Sequence, residues 1–475
     1  MLSLLTKFGC RKAFSAALNM LPGSLMLFKP EVQQHLQNDF CNNKVIKLYG
    51  ELECKQRFEN LLSNLQCPPS VTVVRVNTLH FSVSEVKDLL AHILKEQYKN
   101  KSYSTPVVNE HPLIPDVLLI PSSCGNVALS PVCKEIIVDL VCATAVMRGA
   151  DIFAAGVMGA DPSILKGDTV AVYADLDDKC RRGSTKLYQG AKVFIGNGTA
   201  LMSRADVFVE AKSGTAIQMS EAIHDCPSLN GVLPKHMFLQ NLPSVVVSHV
   251  LNPQPGDTVL DMCAAPGGKT VHIATLMKDN GVVYALEKSS RKISKIKDNV
   301  DRFGLTCVKI FAFDSTRACG DNCGPEAGHD KPPFPPGSFD RILLDTPCSA
   351  LGQRPILHSK FTLQELKSYP TYQRKLFSVA VKLLKSNGIL VYSTCTLTIG
   401  ENEEVVEWAL KTYPNLTLEK QAPSVFGTGM PGTSLEYSQL ERLQRCNPAY
   451  VPEEFKDRNA DNDTIGFFIA MFRKS

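Results

Sequence analysis

The sequence predicts an α/β protein in three parts: a small N-terminal α/β unit, a small β-barrel or sandwich, and a doubly wound, largely parallel sheet. Three observations lead there. From about residue 235 onward, apolar strand-like runs alternate with amphipathic helical ones, the pattern of repeated βα units. Before that, short β-like runs are punctuated by Gly, Asp and Pro at roughly 8–14-residue spacing, as in small barrels. Finally, 475 residues exceed what one core ordinarily fills. The divisions read as an extension over 1–29, the α/β unit over 30–108, the barrel over 109–210 and the doubly wound domain over 211–475.

In the first unit, PEVQQHL and KQRFENLLSNL carry apolar residues at helical spacing, and the second run stops before Cys67-Pro68-Pro69. SVTVVRVNT (70–78) alternates and is β-branched, hence a strand; VSEVKDLLAHIL (83–94) returns to helix. DVLLI, DIFAAGV, DTVAVYADL and AKVFIGNGTA are the strands assigned to the barrel, with PVCKEIIVDLVCATAVMRGA as a helix among them. The last unit runs strand, glycine turn and helix in TVLDMCAAPGGKTVHIATLM. Strands GVVYALE, VKIFAFD, RILLDTP and ILVYSTC follow, with helices SSRKISKIKDNVDRFG, YQRKLFSVAVKLLKSNG and NEEVVEWALKTYP between and after them. Residues 317–338 read as a Pro/Gly-rich loop and IGFFIAMF (465–472) as a closing strand.

Hydrophobic residues make up 44% of the chain and charged ones 21%, a soluble globular balance, and no run is apolar enough to span a membrane. Net charge is only +4, so nucleic-acid binding has to come from local basic patches. Sixteen cysteines are spread evenly, which reads as an intracellular chain with reduced thiols. Cys319 and Cys323 lack a second pair or a nearby His, so no metal site is expected. Residues 1–30 hold Lys7, Arg11, Lys12 and Lys29 and no acid, which suits a mitochondrial presequence, or equally an ordinary helix or start-site extension. The expected location is the cytoplasm, with the mitochondrion as the alternative if 1–29 is a presequence.

VLDMCAAPGGKT (259–270) has the logic of a ligand-binding βα turn. Gly267 and Gly268 let the backbone approach a ligand, and the following helix offers its amides. The spacing is neither the dinucleotide fingerprint nor a Walker loop, which disfavours pyrophosphate. Glu287 ends the next strand, where an acid accepts hydrogen bonds from ribose hydroxyls, and Asp314 ends the one after, near an adenine amino group. A Gly turn with two successive strand-end acids points to S-adenosylmethionine. The candidate cofactor residues are Cys263, Ala264, Ala265, Pro266, Gly267, Gly268, Lys269, Glu287, Asp314 and Asp345.

Strands bring Asp345, Cys348 and Cys395 to the carboxyl edge of the same sheet. Either cysteine alone reads as packing; together above a methyl-donor site they read as chemistry. The segments DMCAAPGGKT, LLDTPCSALG and VYSTCTLT resemble the signatures of the RsmB/Nop2/Sun family of RNA cytosine-5 methyltransferases over roughly residues 235–475. VMRGADIFAAGV, LKGDTVAVYAD and VFIGNGTALMSR resemble a PUA RNA-binding domain. With QNLPSVVVSHVLNPQPGD they resemble the family's PUA-containing tRNA-methyltransferase branch. The resemblance implies a Rossmann-like S-adenosylmethionine-dependent methyltransferase domain with an inserted PUA β-barrel. It also implies Cys395 as nucleophile and Cys348 as the residue that assists release. A thiolate adding to carbon 6 of cytosine makes carbon 5 nucleophilic enough to accept a methyl group. Asp345, as a protonated acid, would stabilise charge on the base, and Lys269 would lower the Cys395 pKa or contact substrate. Pro347-Cys348 also resembles the nucleophile segment of DNA cytosine-5 methyltransferases, so the order of the cysteines stays open on the residues alone. The chain departs from the family pattern at Thr346, Ala350 and Glu287, where Ala, Gly and Asp are usual.

KCRRGSTKLYQGAK (179–192) is basic without an acid. Lys179, Arg181 and Arg182, with Arg148 in the PUA-like signature, are the expected RNA contacts, and Lys186 and Lys192 extend the same run. A cytosine must be flipped or unpaired to reach a buried cofactor, which a tRNA acceptor end permits cheaply. The expected partner is therefore tRNA at its acceptor stem and CCA end, with mRNA hairpins or rRNA as alternatives. The protein is expected to be a monomer that uses neither metal nor membrane.

Overall fold

A computed structural model describes residues 27–99, 104–122, 129–184, 186, 188–210, 213–320, 330–448 and 463–475. Three helices open the described chain: α1 (Pro30–Phe40), α2 (Asn43–Tyr49) and α3 (Glu51–Leu65). Their apolar faces share one core with Leu351, Leu366, Leu397, Ile399 and Met430 of the last third of the chain. Leu27 and Phe28 lie in that core at 4% and 1% exposure, so the extension expected over 1–29 ends before Leu27. The rest of it falls outside the described residues, as does Cys323.

β1 (Val71–Val76), α4 (Val83–Tyr98), β2 (Asn109–Glu110) and β3 (Val117–Pro121) follow. β1 and β3 pair antiparallel, with Thr72 opposite Ile120. DVLLI therefore belongs to the N-terminal sheet and not to the barrel, and the expected boundary at 108 moves past β3. Local sequence cannot reveal this, since an edge of β-branched residues fits either partner.

The barrel region holds β4 (Glu135–Val138), α5 (Leu140–Val146), β5 (Ile152–Phe153), β6 (Val157–Ala160), β7 (Thr169–Asp175), β8 (Lys192–Ala200) and β9 (Thr215–Ala222). The strands form one six-stranded sheet in the order β5-β9-β8-β7-β4-β6. The two ends of that path, β5 and β6, are separated by the single turn Ala154–Gly156, so the sheet must curl until its edges meet. Two expectations are corrected. PVCKEIIVDLVCATAVMRGA is not one helix: its EIIV run pairs with β7 and β6, and a short helix starts after Asp139, whose side chain accepts the Cys142 N–H. The region also runs beyond 210, because β9 pairs with β8.

β10 (Met237–Leu239) returns to the first sheet and pairs with β1, so the barrel is an insertion between β3 and β10. The remaining elements are α6 (Leu242–Leu251), β11 (Thr258–Asp261), α7 (Gly268–Leu276), β12 (Val282–Glu287), α8 (Ser290–Phe303), β13 (Val308–Ala312) and β14 (Phe339–Asp345). They continue as α9 (Leu363–Leu383), β15 (Leu384–Thr394), α10 (Glu403–Thr412), β16 (Leu416–Leu418), α11 (Tyr437–Leu440), β17 (Gln444–Cys446) and β18 (Phe467–Lys474). The main path of the sheet is β13-β12-β11-β14-β15-β18-β16; its first five strands run parallel and β18 antiparallel. Side chains alternate between two cores: Val259, Val283 and Leu343 pack with α6 to α8, Leu260, Leu286 and Ile342 with α9 and α10. The strand order reverses between β11 and β14, the place where such sheets open a crevice for ligands.

Candidate active site

The crevice begins at the turn after β11. Gly267 has φ +103° and an added Cβ would lie 3.1 Å from the Cα of Ile296, so glycine is required twice over. The Ala264 N–H donates to Leu286 O of β12, which holds the turn against the sheet. A cavity of about 200 Å³ lies above it, lined among others by Asp261, Cys263, Ala264, Ala265, Pro266, Gly268, Lys269 and Asp345. Phe238, Leu239 and Gln240 close one wall. These last residues come from β10 and its end, so the N-terminal sheet completes the cavity. Arg75 of β1 explains the junction: it is fully buried and donates to the Gln240 side chain (2.9 Å) and to Gly268 O (3.2 Å).

Asp261 was not singled out from sequence, although it ends a strand two residues before Cys263. It is 1% exposed; Thr270 donates to one carboxylate oxygen at 2.7 Å, and the other oxygen, Oδ1, has no hydrogen-bond partner. Burial, helped by the charge of Asp345, pushes its carboxyl up to about 7 against the Thr270 hydrogen bond, the charge of Lys269 and the nearby Cys263 amide. An unpartnered buried carboxylate oxygen in a cavity walled by glycine and alanine fits the cationic, amine-bearing end of S-adenosylmethionine. Glu287 ends β12 and Asp314 lies two residues past β13, both outside the cavity lining. Glu287 accepts the Ser289 N–H at 2.8 Å, and Asp314 pairs with Lys288 at 2.9 Å. Burial pushes the Cys263 thiol well up, and the charges of Asp261, Asp345, Glu287 and Asp314 add to it, so all four acids surround this one cysteine.

The two cysteines meet. Cys348 Sγ lies 3.4 Å from Cys395 Sγ. The hydrogen bond between them pushes the Cys348 thiol well up, with burial adding to it, and moves the Cys395 thiol down. Gln353 and Lys269 also lower Cys395, while burial and Asp345 oppose them. Lys269 thus acts on Cys395 as expected, but behind Cys348. Its main partner is Asp345, 2.7 Å away, with the Ser244 hydroxyl at 3.3 Å. Ser393 donates to the other Asp345 oxygen at 2.7 Å. Asp345 is thus held between Lys269 and Ser393, at the rim shared by the cavity and the two cysteines.

The expected RNA contacts divide. Arg148 and Arg181 are exposed. Lys179 is exposed and pairs with Asp177 at 2.9 Å. Arg182 is exposed too, and it also clasps its own domain, donating to the carbonyls of Ala154, Ala155, Val157 and Val207 at 2.6–3.3 Å. Lys192 is likewise engaged with Glu135. Basic sequence alone could not show which of these charges also brace the domain. Asp116, His249 and His272 form the cluster of metal-ligating types among the described residues, but each Asp116 oxygen sits 2.7–2.8 Å from a histidine Nε2, a hydrogen-bond distance.

Comparison with known proteins agrees with this geometry. Residues 248–472 match the 16S rRNA methyltransferase RsmB/F family model, and residues 134–221 match the PUA domain. The tRNA (cytosine(72)-C(5))-methyltransferase NSUN6 of Mus musculus is 46% identical, covering 94% of this chain and 96% of its own. The chain belongs to the RsmB/Nop2/Sun family of RNA cytosine-5 methyltransferases. Another relative in this family, the tRNA (cytosine(72)-C(5))-methyltransferase of Pyrococcus horikoshii, is 31% identical over 90% of this chain and 95% of its own. The crystal structure of NSun6 from Pyrococcus horikoshii with SFG superposes with a TM-score of 0.72 at 28% identity, covering 94% of this chain and 99% of that one. One departure from the usual RsmB/Nop2/Sun pattern has a backbone consequence. Ala350, where the family usually has Gly, adopts φ +56°, which costs an L-residue about 1 kcal/mol.

Proposed function

We propose that this RsmB/Nop2/Sun protein methylates carbon 5 of a tRNA cytosine at the acceptor end, position 72 in the names of its relatives, with S-adenosylmethionine as donor. The carrying observation is the pair of sulfurs 3.4 Å apart beside the glycine-turn cavity. The cofactor supplies an electrophilic methyl group; the Pyrococcus neighbour's SFG is an analogue of it. Asp261 and the Cys263–Lys269 turn hold the donor, with Glu287 and Asp314 along the edge. The Cys395 thiolate adds to carbon 6 of the flipped cytosine, forming a C–S bond and raising electron density at carbon 5. Asp345, positioned by Lys269 and Ser393, meets the base at ring nitrogen 3, where charge develops as the thiolate adds. After transfer the carbon-5 proton must leave so that the C–S bond breaks; Cys348, beside Cys395, serves that step. Arg148, Lys179 and Arg181 of the PUA domain contact the RNA backbone.

Cys395→Ala is expected to abolish transfer to purified tRNA while cofactor binding by calorimetry stays within about threefold. Cys348→Ala is expected to leave tRNA covalently attached after denaturation; an adduct on Cys395→Ala instead would reverse the two roles. Cytoplasmic residence, a monomeric state and metal independence belong to the same proposal. No described helix is long and apolar enough to cross a membrane. A fluorescent protein carrying residues 1–26 is expected to stay diffuse; mitochondrial capture overturns the location.

A further inference from the structure

The loops that carry the two cysteines converge on one carboxylate that plays no part in the reaction described above. Glu401 is 1% exposed. Its Oε2 accepts the Ser349 backbone N–H and the Gln373 amide, each at 2.9 Å. Its Oε1 accepts the Ser349 hydroxyl at 2.5 Å and the Thr398 hydroxyl at 3.0 Å. Thr396 Oγ1 lies 2.6 Å from Ser349 Oγ, which closes the set. Ser349 follows Cys348, and Thr396 follows Cys395. Gln373 of α9 also donates to Pro347 O at 3.2 Å, so both neighbours of Cys348 are gripped. The Tyr392 hydroxyl fixes the backbone of Glu401 itself at 2.6 Å.

Burying a carboxylate is costly unless several donors replace its water. Here the donors come almost wholly from the two cysteine loops, with one from the helix that packs beneath them. We infer that Glu401 is a positioning residue: it ties the Cys348 and Cys395 loops into one unit and thereby sets the separation and direction of the two sulfurs. The inference rests on the reading of Cys395 and Cys348 as the reacting pair. Misplacing a reacting group by about 1 Å costs on the order of 100-fold in rate. A glutamine at 401 keeps the shape but points an amino group at two donors, so the clasp opens on one side.

The test uses the full chain with a tRNA transcript and S-adenosylmethionine. Glu401→Gln is expected to lower kcat by about 100-fold, and Ser349→Ala, which removes one hydroxyl, by about tenfold. In both, the KM and dissociation constant for S-adenosylmethionine stay within about threefold, since neither Glu401 nor Ser349 is among the residues that line the cavity. The rate at which diamide joins Cys348 to Cys395, read by mass spectrometry, falls in step with kcat. Unchanged kcat in both variants overturns the inference. So does a kcat loss with the disulfide rate unchanged, or a loss matched by cofactor affinity. Where Glu401→Gln fails to fold, Ser349→Ala carries the test. Cys395→Ala separates the two readings. If it retains activity the reacting pair itself is wrong; if it is dead and the Glu401 and Ser349 variants are fully active, only the clasp is wrong.

Discussion

Asp261 carries the pH behaviour of the site. Its carboxyl is pushed from an ordinary 3.8 to about 7 by burial, so near neutrality it is half charged in the free protein. A carboxyl raised in the folded state favours the fold below about pH 4, and that contribution fades as pH rises toward 7. Binding a cationic ligand favours the opposite, ionised form. Affinity for S-adenosylmethionine is therefore expected to rise about tenfold from pH 6 to pH 8, following the ionised fraction of a group at about 7. Calorimetry across that range checks it; in Asp261→Asn the slope is expected to vanish along with most of the affinity.

At the scale of elements, the segment after Cys395 is held by an ion pair that sees almost no water. Glu403 opens α10 and Arg445 lies in β17, and their side chains are 0% and 2% exposed. The guanidinium meets both carboxylate oxygens, at 2.9 and 2.8 Å, and also donates to Leu397 O, two residues after Cys395. Arg445→Met would leave Glu403 charged, buried and without its main partner. The expected cost is about 3–5 kcal/mol of stability, measured by denaturant unfolding. Pairing explains why these elements meet where they do. The helical start of α10 was legible from its NEEVVEWAL pattern, but nothing local in QRC marked β17 as the partner of β18 and the source of this arginine. Likewise EIIV was hidden in a helical reading because the strands that claim it, β6 and β7, are far along the chain.

The whole molecule is assembled by the N-terminal segment as much as by the catalytic sheet. α1 and α3 pack on Leu351 and Leu397, each next to a cysteine loop, while β10 and Arg75 close the cofactor cavity. Leu27 and Phe28 seal the first of these contacts. Compared with a chain beginning at Leu27, one beginning at Pro30 loses two buried apolar side chains and is expected to lose about 3–5 kcal/mol; thermal denaturation of the two distinguishes them. By itself the sequence determined the doubly wound sheet, the glycine turn with its acids, and the two cysteines. Each of these is a local signal: a period of apolar residues, a turn that needs glycine, a reactive residue at a strand end. Tertiary structure alone decided the rest. It buried Asp261 with one carboxylate oxygen on Thr270 and the other facing the cavity, paired Asp345 with Lys269, tied Arg182 to its own domain and gathered both cysteine loops on Glu401. Those are contacts between residues distant in sequence, and their energetics depend on burial, which no local pattern encodes.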